Sequence, residues 1–388
     1  MITRRDWLGA CAAGALLPAS WRAGGAARAS AAIPDWAQRA VDETRARIEA
    51  WRDGRDVPLV VTITDVHSRV PDVTDPIDWA DPKSHVLIAQ EAVRQLGADA
   101  LLDLGDADFQ YVWDHPRVTP PAEEADALIR RRIAAQFKLY RDFERPVWFC
   151  RGNHDRGRTH REFPPSAFGR FNGLSAAHGH VAVLGGEGTY GYFDVPGKAV
   201  RLFFLDSCEK VDYGFTSEQL AFVARGLETL PDEGRAVVFQ HYCIVERLGR
   251  WMRPGTPLVR AKRLRGEGGD VLHAILAGFV HAESGAAAGV RWNFAGRPQR
   301  RLVACVCGDS HYDNQGTLDD VNYVVRQGYG PCHPLLLAPG ATFVWKSDRA
   351  REPSIDVLGL KELSDGICMG RVFRLGAGGA AHDREWCF

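Results

Sequence analysis

Cys150-Arg151-Gly152-Asn153-His154-Asp155 decides the reading of this chain. The stretch follows Pro146-Val147-Trp148-Phe149, a short apolar run that reads as a buried strand. Gly-Asn-His-Asp then puts an amide oxygen, an imidazole and a carboxylate on one tight turn at that strand's C-terminal end. Ligands and catalytic groups of α/β proteins collect at such ends. Alone, the tetrapeptide reads more simply as a surface turn carrying a histidine. Its weight changes because four more stretches of the same kind lie on either side, each at the end of a predicted strand.

Two of them lie upstream. Val57 to Thr64 is a β-branched run bounded by polar residues, a buried strand, and Asp65-Val66-His67 follows directly. The i, i+2 spacing in extended chain points both side chains to the same side. One carboxylate beside one imidazole suits a divalent transition metal, or is a turn-capping Asp beside a chance His. His85 to Leu96 has helical period and stops at Gly97. Ala100 to Leu104 is the next strand and leads into Gly105-Asp106-Ala107-Asp108, where the glycine lets the backbone turn sharply. Glu123 to Phe143 reads as a long amphipathic helix before the strand at Pro146. The order β-α-β-α-β predicts a parallel sheet with right-handed crossovers.

The other two lie downstream. Residues 163–186 are rich in Gly, Pro and Ala and carry no clear period. Thr189 to Val195 and Ala199 to Leu205 alternate and read as paired strands, the second ending at Asp206-Ser207. Thr216-Ser217-Glu218-Gln219 has N-capping spacing and opens a helix that runs to Leu230. Ala236 to Phe239 is a buried strand ending at Gln240-His241. Asp270 to Glu283 reads as helix. Leu302 to Cys307 is a buried strand ending at Gly308-Asp309-Ser310-His311. Runs at Asn322–Val325, Thr342–Trp345, Ile355–Leu358 and Arg371–Leu375 read as short strands completing a second β layer. Residues 110–121, 156–180 and 246–268 read as loops around the strand ends. The cluster Arg260, Lys262, Arg263, Arg265 reads as solvated loop.

The N-terminus has a different character. Thr3-Arg4-Arg5-Asp6-Trp7-Leu8 is a twin-arginine pattern, an Ala/Gly-rich apolar segment follows, and Ala27-Arg28-Ala29 is a small-x-small cleavage site. Residues 1–29 therefore read as a signal peptide for the twin-arginine translocation machinery, leaving a periplasmic or secreted domain over 30–388. The segment is too short to span a bilayer. Of 48 Lys+Arg and 49 Asp+Glu, four Arg and Asp6 fall in the leader, so the mature balance is 44 against 48, a net charge of −4. That balance gives no nucleic-acid or membrane surface. Of nine Cys, eight follow the leader, and no CxxC pair occurs, against a zinc ribbon or a redox motif. Cys150, Cys305 and Cys307 sit in apolar strands, where Cys acts as a small buried hydrophobe, and Cys332, Cys368 and Cys387, near the C-terminus, are the better disulfide candidates.

Taken together, Asp65-x-His67, Gly105-Asp106, Gly152-Asn153-His154-Asp155, His241 and Gly308-Asp309-x-His311 occur in that order. The set resembles the calcineurin-like metallophosphoesterase superfamily, whose pattern is DxH, GD, GNH(D/E), H and GHxH. The tail from Arg374 to Gly378, then Asp383-Arg384, is similar to the end of certain bacterial members. The resemblance implies a four-layer α/β/β/α sandwich and hydrolysis of phosphate mono- or diesters. It implies two metal ions: Asp65, His67, Asp106 and His311 on the first, with Asp106 bridging to a second held by Asn153, His241 and position 309. Mixed N/O donors suit Mn, Fe or Zn. His154 is implied as general acid, with Asp155 holding its ring. Asp309 stands where the family has the first His of GHxH. A carboxylate oxygen is as many bonds from Cβ as Nδ1, so Asp can fill the place, and its charge favours a harder ion, Mn or Fe. The same exchange motivates the alternative, a degenerate non-catalytic member that binds metal or ligand; retention of His154 favours the enzyme.

Overall fold

The computed structural model describes residues 32–66, 76–79, 82–107, 134–156, 165–210, 213–245, 264, 266–310, 313–326, 354–363, 368–376 and 378–388. The architecture lies within the unit Ile33–Phe388. Two βαβαβ units face each other. In the first, β1 (Leu59–Ile63), β2 (Ala100–Asp103) and β3 (Val147–Phe149) are parallel neighbours. The preceding strand patterns overran these bounds by one to three residues. After the antiparallel edge strands β4 (Val183–Gly185) and β5 (Tyr190–Asp194) comes the second unit, β6 (Val200–Leu205), β7 (Arg235–Gln240) and β10 (Leu302–Cys307), again parallel. Its crossover helices are Ser217–Glu228 and Gly269–His281.

Both faces of these strands are covered, which is why they are near-continuous apolar runs. Alternation assigns the faces. Leu59, Val61 and Ile63 of β1 pack under helices Asp35–Arg52 and His85–Leu96, while Val60 points to the other sheet. In β7, Val237 and Phe239 point inward, Ala236 and Val238 to the opposite helices. A bulge in β10 between Leu302 and Ala304 puts two consecutive residues, Val303 and Ala304, on the inner face. Between the sheets, Trp148 of β3 stacks on Phe204 of β6 with ring centroids 5.3 Å apart. The order of layers is helices, sheet, sheet, helices, as expected for the sandwich.

Local signals act as the sequence reading expects in several places. Helix His85–Leu96 ends at Gly97 in the left-handed region, φ 64°. Thr216 Oγ1 accepts from the Gln219 amide at 3.2 Å and caps its helix, a bond worth about 1 kcal/mol. Of the long helix expected at Glu123–Phe143, residues 134–141 are helical and 108–133 lie outside the described residues. The stretch without period contains helix Pro165–Asn172 and β4.

One expectation is corrected. The strands at Ile355 and Arg371 do not join the second layer. They are β13 (Ser354–Glu362) and β14 (Cys368–Gly376), which with β15 (Arg384–Cys387) extend the first sheet. The free edge of β1 receives β13 antiparallel, Thr62 opposite Asp356. Ile355, Val357, Phe373 and Leu375 then cover the face under helix Asp35–Arg52. The strand at Asn322 is β12 (Val321–Val325) and does join the second sheet, beside β10 and a further strand, β11 (Asn314–Leu318). Thr342–Trp345 lies outside the described residues. A hairpin of β8 (Gly285–Ala287) and β9 (Val290–Trp292) has no counterpart in the sequence reading. Its turn at Ala288-Gly289 has positive φ at both positions, 47° and 81°, without the usual Asn or Asp as signal.

Seven cysteines are described and all are free thiols, Cys368 and Cys387 on the paired strands β14 and β15 included. Cys332 lies outside the described residues. Among the described residues no helix is long and apolar enough to cross a membrane.

Candidate metal centre

The parallel strands of both sheets end at one edge, and the polar residues following them meet there. After β1, the Asp65 amide donates to the Gly105 carbonyl at 2.9 Å, joining the first two strand-end turns. Thr64 Oγ1 donates to Asp65 Oδ2 at 2.6 Å, and the Asp309 amide donates to the same oxygen at 3.0 Å from the other sheet. After β2, Gly105 has φ 100°, and a Cβ there would lie 2.5 Å from the Gly152 nitrogen, so only glycine fits. Asp65, Asp106 and Asp309 are all left-handed, with φ of 52°, 55° and 65°. Such backbone in a non-glycine residue costs roughly 1–3 kcal/mol and clusters at functional sites.

His241 is the hub. Its Nδ1 lies 2.8 Å from the Leu104 carbonyl oxygen, which can only accept, so Nδ1 carries hydrogen and Nε2 is the atom turned to the site. Nε2 lies 3.0 Å from Asn153 Oδ1, 3.3 Å from Asp106 Oδ2 and 3.9 Å from Asp309 Oδ1. Asp65, Asp106 and His241, all buried, offer one donor atom each within 4.8 Å of one another. Burial lowers the affinity of His241 for its second proton, but the Asp106, Asp65 and Asp309 carboxylates outweigh it and raise the pKa well above the ordinary value.

The donor set fits a metal. Three carboxylates around one buried imidazole concentrate negative charge where solvation is poor, and a cation at Nε2 resolves it. Oxygen donors from Asp and Asn with one imidazole nitrogen are a set for Mn, Fe or Zn rather than for a thiolate-seeking ion.

Of the expected site residues, Asp65, Asp106, Asn153, His241 and Asp309 come together. His67, His311 and the side chain of His154 lie outside the described residues. Asp155 is buried here, and its carboxylate is taken up by the backbone: Oδ2 accepts from the amides of Asp106 at 2.8 Å and Gly152 at 2.9 Å, and Oδ1 from that of Ala107 at 3.1 Å. It ties the turn after β2 to the turn after β3. Burial, then the Asp106 charge, raise its pKa to about 7. Asp103, one strand residue deeper, holds the Gly105 amide at 3.1 Å and the Tyr140 hydroxyl at 2.7 Å; burial raises it to about 6. Thr64 and the Leu104 carbonyl carry no signal in the sequence. The pair Arg151–Asp206, buried behind the turn after β3, also escaped it, although Asp206 follows a predicted strand.

The sequence profile of the calcineurin-like phosphoesterase family matches residues 58–265, more than half of the chain. The chain belongs to that family. The family is one of metal-dependent phosphoesterases, and Asp65, Asp106 and His241 are the candidate metal triad of this chain. The profile match ends before Asp309. No curated protein sequence matches the chain. Among solved structures, a dimetal phosphatase from Danio rerio is similar at 13% identity and TM-score 0.48, over 85% of this phosphoesterase and 99% of that chain. Purple acid phosphatase from yellow lupin (Lupinus luteus) seeds is similar at 12% identity and TM-score 0.43, over 86% of this chain and 53% of that one. Phosphopantetheinyl hydrolase from Mycobacterium tuberculosis is similar at 12% identity and TM-score 0.32, over 74% and 99%.

Proposed function

We propose that this phosphoesterase is an exported hydrolase of phosphate mono- or diesters with a dinuclear metal centre. The observation that supports it best is the meeting of Asp65, Asp106 and His241, with Asn153 and Asp309 beside them, at one edge of two sheets. Asp65, His67, Asp106 and His311 would hold the first ion, and Asp106, Asn153, His241 and Asp309 the second. Bound there, the ions supply an activated water and neutralise the phosphate oxygens. The protein's own groups do the rest. Asp106 would be shared by both ions, and the backbone of its turn is held by Asp155. The hydrogen bond to Leu104 keeps His241 Nε2 aimed at the site. His154 delivers a proton to the leaving-group oxygen.

The test is elemental analysis of purified protein together with hydrolysis of a chromogenic monoester and diester. Two metal equivalents, Mn or Fe in preference to Zn, and turnover of at least one ester are expected. Metal without any hydrolysis favours instead the degenerate binding protein that Asp309 suggests. His154→Ala should keep the metals and lose about 10²–10⁴-fold in turnover, less with a nitrophenol leaving group. Loss of metal with activity would make His154 a ligand. Arg4→Lys with Arg5→Lys should leave precursor in the cytoplasm; normal export of that variant overturns the twin-arginine reading.

A further inference from the structure

The candidate metal centre is assembled from two separate sheets. Asp65, Asp106 and Asn153 follow strands of the first, and His241 and Asp309 follow strands of the second. Between the sheets lies an apolar layer, Val60, Leu102, Val237, Phe239 and Val306 among it. Apolar contact is non-directional and does not by itself fix distances and angles between specific groups. A metal centre needs its ligands held to within about 0.5 Å.

Buried ionic contacts cross from sheet to sheet on both flanks of this edge. Arg151, which follows β3, reaches Asp206, which follows β6: Nη2 lies 2.7 Å from Oδ2 and Nε donates to Oδ1 at 3.3 Å. The two side chains are 3% and 0% exposed. On the other flank Arg326, which follows β12, grips Asp356 of β13 with two parallel bonds of 2.7 and 2.8 Å. Arg374 of β14 donates to Asp356 as well, at 2.8 Å, and to Asp313 at 2.8 Å. The strand orders put β3 last among the ligand-bearing strands of its sheet and β6 just beyond those of the other, while β12, β13 and β14 lie on the opposite flank. Asp313 adds a direct link: it lies four residues beyond Asp309. The Asp309 amide is bonded to Asp65, and the Asp313 carboxylate is held by Arg374 and His382.

We infer that Arg151–Asp206 and Arg326–Asp356–Arg374 are positioning clamps, which fix the two sheets against each other at the edge where their metal ligands must meet. Such pairs are poorly explained as stabilisers. Replacing a buried ion pair with apolar side chains of similar volume is often neutral or stabilising for folding, because both ions recover their hydration when the chain unfolds. What an ion pair adds over an apolar contact is direction, and the paired bonds from Arg326 to Asp356 fix both distance and angle. This inference rests on the proposed metal centre.

Two charge-neutral double variants test it in the full-length protein: Arg151→Met with Asp206→Leu, and Arg326→Met with Asp356→Leu. Each Mn-loaded protein is titrated with a chelator, and its thermal midpoint is recorded. Metal released at roughly 10–100-fold lower chelator concentration is expected in both, the range seen when groups supporting metal ligands are removed; the midpoint should be retained in the first variant and lowered in the second, which leaves Arg374 with Asp313 alone. Arg94→Met with Glu144→Leu, which removes an ion pair on the helical surface, should release metal like wild type. Release curves of both clamp variants matching wild type would overturn the inference. If a double variant does not fold, Arg151→Lys and Arg326→Lys keep the charge and lose the fork; weaker metal retention supports the clamps, and unchanged retention overturns them. Wild-type protein that takes up no Mn would instead overturn the reading of the site, and the clamps with it.

Discussion

His241, at the end of β7, is bonded through Nδ1 to the main-chain carbonyl of Leu104, at the end of β2, across 2.8 Å. The imidazole of one sheet is thus aimed by the backbone of the other. A carbonyl keeps hydrogen on Nδ1 and leaves Nε2 for the carboxylates or a cation. The Asp309 amide reaching Asp65 Oδ2 is the reverse connection, from the second sheet to a side chain of the first. Neither sheet holds a complete set of ligands, so the geometry of the site depends on how the sheets are docked.

Asp155 has a testable place in that docking. Its three bonds go to the amides of Asp106, Ala107 and Gly152, so its loss should loosen Asp106, the proposed bridge. Asp155→Asn turns one acceptor oxygen into a donor facing N–H groups. We expect the variant to lose metal and about 10–100-fold in activity. Elemental analysis decides: metal content equal to wild type would mean that Asp155 acts on the His154 ring alone.

Gly152 is there because nothing larger fits. A Cβ on it would lie 2.2 Å from Asp106 Oδ1 and 2.4 Å from the Asp106 backbone nitrogen, so both the carboxylate and the main chain of Asp106 would have to move. Gly152→Ala should cost about 1–3 kcal/mol of stability, the usual range for overpacking. It should cut activity by about 10²-fold, because the bridge is displaced. Denaturant unfolding and an ester assay measure the two effects; a fully active Gly152→Ala protein would show that Asp106 is not the bridge.

The sequence reading succeeds where one local cause dominates. Gly97 ends its helix, Thr216 caps its own, and each ligand carboxylate or imidazole follows an apolar run that could only be a buried strand. It fails where the cause is non-local. Nothing in Ile355–Leu358 says which sheet edge the strand will join, since both edges accept an alternating apolar pattern. Arg151 and Asp206 are 55 residues apart and meet only after the sheets dock. The bonds of Asp155 run to backbone amides, which every residue type supplies, so its neighbour His154 draws the reading to itself.

Away from the centre, His85 gives the protein a defined acid sensitivity. Burial lowers its pKa to about 4, against the raising effect of its bond to the Trp79 carbonyl at 2.9 Å. The unfolded chain takes that proton near pH 6.5, so between 6.5 and 4 the unfolded state binds more protons. The contribution of His85 is fully present above about pH 6.5 and is lost as pH falls through about 4, some 2 kcal/mol of it by pH 5. Asp155 and Asp103 also titrate in this window but alike in both proteins, so the change in urea stability from pH 7 to pH 5 should be about 2 kcal/mol less favourable in wild type than in His85→Gln. Equal differences in the two proteins would place the acid sensitivity elsewhere.

Asp309 is where this chain parts from the family pattern, and its surroundings support a ligand rather than a remnant. Its φ of 65° holds the backbone in a left-handed conformation that costs free energy and clusters at functional sites. Its amide bonds to Asp65, and the amide of the preceding Gly308 bonds to the His241 carbonyl at 2.9 Å, so both neighbouring ligands brace the turn. Its Oδ1 lies on the Nε2 side of His241, 3.9 Å away, a spacing a shared ion would close from both ends. Asp309→Ala should remove about one metal equivalent per chain and most of the activity, since the phosphate is then clamped from one side only. Asp309→His should keep two equivalents and move the preference from Mn or Fe toward Zn, because an imidazole nitrogen is the softer donor. Elemental analysis of the three proteins, loaded from an equimolar mixture of the ions, reads both effects. Two metals and full activity in Asp309→Ala would make the residue a bystander and require another side chain to complete the site.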